Sequence, residues 1–256
     1  MKKLFVLLAL LLSLRVISFS YENTYAVIIG IDAYQRNPIV GPVNDAVALC
    51  EFLMSTKGGS VPPENICLLL DSNATKSAIL TYSKRLFAKA KKDDRVIFYF
   101  AGHGGDGFFS PYDFDGWLDS SIQYSDIKSI FRTAKCNTKL MFADACHSGG
   151  IKGTNRKKAG VSSPKEINIA IMLSCKANEY SYSEINYLKK GVFTHYLMEG
   201  LSGAANRDGN KYITIQELYY YVYAKVKEYF KDDNITQTPQ LFGKFDLRLV
   251  VAKVTK

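Results

Sequence analysis

Five short apolar runs, each bounded by polar residues, constrain the fold of this chain more than any other feature. They are Tyr25–Ile31, Ile66–Leu70, Arg95–Ala101, Thr138–Ala143 and Ile167–Leu173. A run without a polar face suits a strand buried on both sides, and such strands belong to parallel sheets flanked by helices. The segments between them supply the helices. Asn44-Asp45 predicts the cap of a helix running through Val47, Leu49 and Phe52 to Gly58-Gly59. Thr75 to Lys92 sets Ile79, Tyr82 and Leu86 against an outer face of Lys84, Arg85, Lys89 and Lys91. Phe193–Leu201 is a further helix, and Thr214-Ile-Gln-Glu217 is a capping box opening a tyrosine-rich helix to Phe230. Leu247–Val254 is expected to close the sheet as its sixth strand. The expected class is α/β, a three-layer sandwich with a mainly parallel six-stranded sheet and helices on both faces.

A chain of 256 residues, 47% of them hydrophobic, is long enough to bury one core and too apolar for disorder. Its formal net charge of +9 suggests nucleic acid as a partner until the charges are placed. Lys2 and Lys3 precede the uncharged run Leu4–Leu14, with Arg15, Ser18 and Ser20 behind it. That run is too short for a spanning helix, which needs about 20 residues. Residues 1–20 read as a signal peptide, so the mature protein is expected to be secreted or periplasmic, without stable membrane insertion after signal removal. From 151 to 165 five basic residues (Lys152, Arg156, Lys157, Lys158, Lys165) stand among Gly, Ser, Thr, Asn and Pro with no acid. These mark an exposed linker between parts 21–150 and 166–256 of one domain, 21–256. With the leader and linker charges set aside, a single excess positive charge remains. No basic surface is left for nucleic acid to explain.

In such sheets chemistry collects at the carboxyl ends of the strands. Ala101-Gly102-His103-Gly104 follows the third strand and Asp144-Ala145-Cys146-His147-Ser148-Gly149 the fourth. A cysteine protease needs a thiolate, a proton donor for the leaving amine, and backbone N–H groups aimed at the oxyanion. Cys146 and His103 can supply the first two. Side-chain alternation sets Asp144 and Cys146 on one side and His147 on the other, which leaves His103 as the partner. By themselves, a His and a Cys at strand ends also fit core or loop roles.

Several segments in order carry a resemblance: Tyr25-Ala-Val-Ile-Ile-Gly-Ile31, Pro42-Val-Asn-Asp45, Phe98-Tyr-Phe-Ala-Gly-His-Gly104, Asp144-Ala-Cys-His-Ser-Gly149, Phe193-Thr-His-Tyr-Leu-Met-Glu-Gly-Leu201 and Gln237-Thr-Pro-Gln240. Together they resemble the caspase-like cysteine peptidases, nearest the metacaspases and their bacterial relatives. The resemblance implies a caspase-like fold, with Cys146 as nucleophile and His103 as general acid/base. The backbone N–H groups of Gly104 and Cys146 would form the oxyanion hole. It also implies cleavage after Arg or Lys, with Asp45 and Asp144 in the first specificity pocket, so that protein or peptide substrates with basic residues are the expected partners. Ala101 departs from the small hydroxyl that many metacaspases carry there, removing one pocket hydrogen bond. The family often cuts itself between the two halves of its sheet, which makes Arg156, Lys157 and Lys158 self-cleavage candidates. No cofactor is required; calcium is the one ion the resemblance admits, at Asp106, Asp113, Asp115 and Asp119, against the alternative of a solvated loop. No spacing supports a metal site otherwise.

Other readings are weaker. Gly102-His-Gly-Gly-Asp-Gly107 fits a dinucleotide-binding pattern, but the turn-rich Phe108–Gly116 follows it where a helix is needed. Cys50, Cys67, Cys136 and Cys175 read as buried thiols, with disulfide pairing left open. The alternative to a peptidase is a catalytically silent caspase-like binding or regulatory module.

Overall fold

The computed structural model describes residues 22–145, 169–176, 178–182 and 190–254. The expected signal peptide, Cys146, His147 and the 151–165 linker lie outside the described residues. In chain order the strands are β1 (Thr24–Gly30), β2 (Ile66–Leu70), β3 (Arg95–Gly102), β4 (Gly104–Gly105), β5 (Phe108–Phe109), β6 (Ile122–Gln123), β7 (Thr138–Ala145), β8 (Ile169–Leu173), β9 (Tyr212–Thr214), β10 (Gln240–Lys244) and β11 (Val250–Lys253). The helices are α1 (Pro42–Met54), α2 (Lys76–Phe87), α3 (Tyr124–Thr133), α4 (Val192–Glu199) and α5 (Ile215–Tyr229).

The main sheet runs β10-β8-β7-β3-β1-β2, parallel throughout except for β10. All eight residues of β3 and all eight of β7 are buried, as an apolar run with no polar face requires. Alternate side chains divide between two cores. Ile28, Tyr99, Leu140 and Phe142 pack with Leu49 of α1, Leu197 of α4 and Leu218 of α5. Val27, Phe98, Phe100 and Met141 pack on the other face with Phe87 of α2 and Phe131 of α3. The α/β class with helices on both faces holds.

The sixth strand is corrected. Val250–Lys253 pairs with β9 in a separate two-stranded sheet, and the edge position beside β8 is taken by β10, running antiparallel. The expectation failed because β10 is half exposed and reads as polar, with Gly243 and Lys244 inside it. Further elements went unread: α3, β9, and the small antiparallel sheet β4-β5-β6, of which β5 opens the supposed turn-rich stretch Phe108–Gly116. α3 carried the signal of a Gln123/Asp126 capping box before Ile127, Ile130 and Phe131. The start of α1 is also corrected. Gly41 is its N-cap and Pro42 its first residue, so Asp45 lies inside the first turn rather than capping it. Asp32 caps that helix from a distance, its carboxylate accepting the N–H groups of Val43 (3.0 Å) and Gly41 (3.3 Å). The Thr214/Glu217 capping box forms as expected, whereas the helix expected over Thr75–Lys92 is capped by Thr75, ends at Phe87 and leaves Tyr82 exposed.

Candidate active site

β3 and β7 are parallel neighbours whose ends fall in register, Ala101 opposite Asp144 and Gly102 opposite Ala145. His103 follows directly on β3, and Cys146 is the next residue in the chain after β7. His103 therefore leaves the carboxyl end of β3 beside the last residues of β7, Asp144 and Ala145.

The loop 32–41 holds His103 from two sides. His103 Nε2 lies 2.7 Å from the Asn37 carbonyl oxygen. A carbonyl only accepts, so Nε2 carries the proton and Nδ1 of the neutral ring is the acceptor. Asn37 reaches this position in the left-handed region (φ 56°), a conformation asparagine tolerates better than most residues. Tyr34 lies against the imidazole with ring centroids 4.6 Å apart, and its hydroxyl accepts the His103 backbone N–H at 2.9 Å. The loop closes on Asp32, whose carbonyl accepts from Tyr34 and Ile39, both at 3.0 Å. Asp71 ties its base, accepting the N–H groups of Asp32 (2.8 Å) and Ala33 (2.9 Å).

Gly104 begins β4 opposite Phe109, next to the hydrogen-bonded level where Ser110 N–H donates to His103 O at 3.0 Å. Antiparallel pairs alternate, so Gly104 occupies a non-hydrogen-bonded level and its N–H is directed away from β5.

Asp45 and Asp144 are brought together and buried, 1% and 7% exposed. Gly191 lies between them. Its N–H donates to both oxygens of Asp45 (2.9 and 3.1 Å). A Cβ at Gly191 would fall 2.2 Å from Asp144 Oδ2 and 2.8 Å from Asp45 Oδ2, so only glycine fits. Asp144 accepts the Thr194 hydroxyl (2.7 Å), the Thr194 N–H (3.1 Å) and the Ser181 hydroxyl. Tyr99 donates in turn to Thr194 Oγ1 at 2.6 Å. Gln237 spans the same layer, its amide reaching Ser181 Oγ (3.3 Å) and Ser174 O (3.2 Å). Burial, reinforced by the neighbouring Asp144 charge, pushes the Asp45 carboxyl up to about 8, while Gly191 N–H and the Lys190 ammonium pull it back. Burial raises Asp144 as well, against its hydrogen bonds to Ser181 and Thr194. Gly191 thus packs directly on both members of the expected pair.

In the acidic loop, Asp113 caps Lys76 N–H at 2.8 Å, and Asp115 accepts from Trp117 N–H (2.9 Å) and the Ser120 hydroxyl (2.5 Å). Among the described residues no group of three or more His, Cys, Asp or Glu is placed to hold a metal ion. Cys136 and Cys175 are buried as expected, whereas Cys50 and Cys67 are only half-buried. A cavity of about 590 Å³ opens at the opposite, amino-terminal end of the sheet, between Phe52, Val61, Leu140, Val251 and the buried Arg95. No helix among the described residues is long and apolar enough to cross a membrane.

Sequence reasoning missed Tyr34, Asn37, Ser181 and Thr194 as site residues. Their roles run through backbone groups or hydroxyls from distant segments, and only residue type gave a hint, Asn37 of a left-handed turn and Gly191 of a close approach.

Comparison with known proteins bears on the family and the fold. A "Probable protease" from a Desulfuromonadales bacterium is 27% identical over 221 residues, 72% of this chain and 26% of that protein. Metacaspase-1 of Candida albicans is 29% identical over 164 residues, 52% of this chain and 36% of that protein. The chain thus spans only about a quarter to a third of the length of these curated relatives. The crystal structure of caspase-1 from Spodoptera frugiperda superposes with a TM-score of 0.70 at 17% identity, covering 92% of both chains, and shares the fold. The family profile described as Caspase domain matches residues 23–249, nearly the whole described region, and the chain belongs to that family.

Proposed function

We propose that this chain is an exported cysteine endopeptidase that cleaves after Arg or Lys. One observation carries the reading: β3 and β7 end side by side, and His103 is held there with Nε2 on a carbonyl. In that arrangement Nδ1 takes the Cys146 thiol proton. The thiolate attacks the scissile carbonyl, and the Gly104 N–H, with that of Cys146, receives the oxyanion. The imidazolium then protonates the leaving amine, and water hydrolyses the thioester. Asp45 and Asp144 form the base of the pocket for the substrate's cation, where paired carboxylates in a poorly hydrated site favour a guanidinium or ammonium. Lys190 already sits where its charge draws Asp45 toward ionisation, so a cationic occupant suits the pair. Admitting a substrate side chain requires the 190–191 segment to yield. Self-processing at Arg156, Lys157 or Lys158 follows from the same specificity.

The test is turnover of Arg-terminated reporter peptides together with labelling by a thiol-directed peptidyl-Arg reagent. Wild type should turn over and label, and Cys146→Ala and His103→Ala should do neither while remaining folded. A folded wild type that neither labels nor cleaves would leave the silent binding module in its place.

A further inference from the structure

The hairpin that begins at His103 contains a level with an inserted group. Gly104 opposite Phe109 is a non-hydrogen-bonded pair, so the flanking pair, His103 and Ser110, should exchange both of its main-chain bonds. Only one is direct: Ser110 N–H donates to His103 O at 3.0 Å. In place of the second stands the Tyr34 hydroxyl, which accepts His103 N–H at 2.9 Å and donates to Ser110 O at 3.0 Å. The hydroxyl is buried with its residue, 8% exposed, and burial raises its pKa, so it stays protonated and able to do both. Room for it comes from Gly102, where a Cβ would lie 2.3 Å from Tyr34 Oη.

We infer that Tyr34 is a positioning residue for His103, acting as a spacer that holds the first level of the hairpin open. This rests on the peptidase reading above. A hydroxyl between donor and acceptor keeps the two strands one atom further apart than a direct bond would. That separation aims the His103 backbone so that its ring meets the Asn37 carbonyl with Nε2 and leaves Nδ1 toward the end of β7. The same loop supplies both contacts, three residues apart, so the spacer and the carbonyl are set together. Remove the hydroxyl, and His103 N–H can bond Ser110 O directly. The level closes, the residue rotates, and Nε2 loses its carbonyl.

Tyr34→Phe keeps the ring against the imidazole and deletes the spacer. Its kcat on the Arg reporter should fall about 10- to 100-fold, as expected for a misaimed proton-transfer group. Its KM should stay within about twofold, because nothing in the acid pocket changes. The chain has three histidines, so the imidazole ¹⁵N signals of His103 are assignable. In the Cys146→Ala background they should shift from one Nε2–H tautomer to a mixture on adding Tyr34→Phe. Unchanged kcat and an unchanged tautomer would overturn the proposal, as would a loss confined to KM. If wild type fails to cleave any reporter, the peptidase reading falls, and the tautomer alone decides the role of Tyr34. If Tyr34→Phe does not fold, Tyr34→4-aminophenylalanine keeps a donor to Ser110 but accepts poorly from His103 N–H. A loss of kcat of about threefold or more at constant KM supports the spacer there; wild-type kcat overturns it.

Discussion

At the scale of single residues, the site depends on acids kept where water cannot reach them. Asp45 holds its proton up to about pH 8 in the folded protein, against an ordinary value of 3.8. The native state then binds a proton that the unfolded chain releases, so stability falls as pH rises from the ordinary carboxyl range through 8. The urea midpoint of Cys146→Ala protein should drop between about pH 5 and pH 8.5, and Asp45→Asn should flatten that drop. An equal slope in both proteins would place the titration elsewhere. A substrate cation favours the ionised pair, so KM for Arg peptides should fall over the same rise in pH. Gly191→Ala is the steric counterpart. Its Cβ meets both carboxylates, and a loss of about 1–3 kcal/mol in chemical denaturation is expected from such overpacking.

At the scale of elements, α1 and the loop before it act as one unit around Asp32. Its carboxylate caps α1, its carbonyl closes the loop, and the loop presents Tyr34 and Asn37 to His103. Asp32→Ala should therefore cost about 0.5–2 kcal/mol of stability, as lost caps do, and lower kcat as well. A stability loss with unchanged kcat would separate the cap from the site. The same elements show what could be read from sequence. Strands such as β3 and β7, buried on both faces, announce themselves by unbroken apolarity, and His103 and Asp144 were legible because they close those runs. β10 was not legible, because an edge strand keeps one side in solvent and its sequence mixes Leu241 and Phe242 with Gln240, Gly243 and Lys244. Tyr34 and Asn37 were not legible either. A hydroxyl between two backbone groups and a carbonyl in a left-handed turn leave no pattern in spacing.

At the scale of the whole molecule, the segments on either side of residues 151–165 build one sheet and enclose one pair of carboxylates. β7 pairs with β8 across the linker, and Asp144 before it is held by Ser181 and Thr194 after it. A cut in the linker would leave these contacts in place, so processing should yield two pieces that stay associated. Wild-type protein is expected to give two fragments by mass spectrometry under denaturing conditions and one particle by size-exclusion chromatography, whereas Cys146→Ala stays intact. Identical intact masses for both proteins would rule out self-processing. On the proposed reading the positive excess divides into an export signal and a cleavable loop around a nearly neutral body, and the charges that act on substrate are the two buried aspartates. The most direct test of that account is a positional peptide library scanned at the residue before the cut. Preference for Arg and Lys, lost by at least about tenfold in Asp45→Asn and Asp144→Asn, is the predicted result. Cleavage after Asp, or selectivity untouched by either substitution, would contradict it.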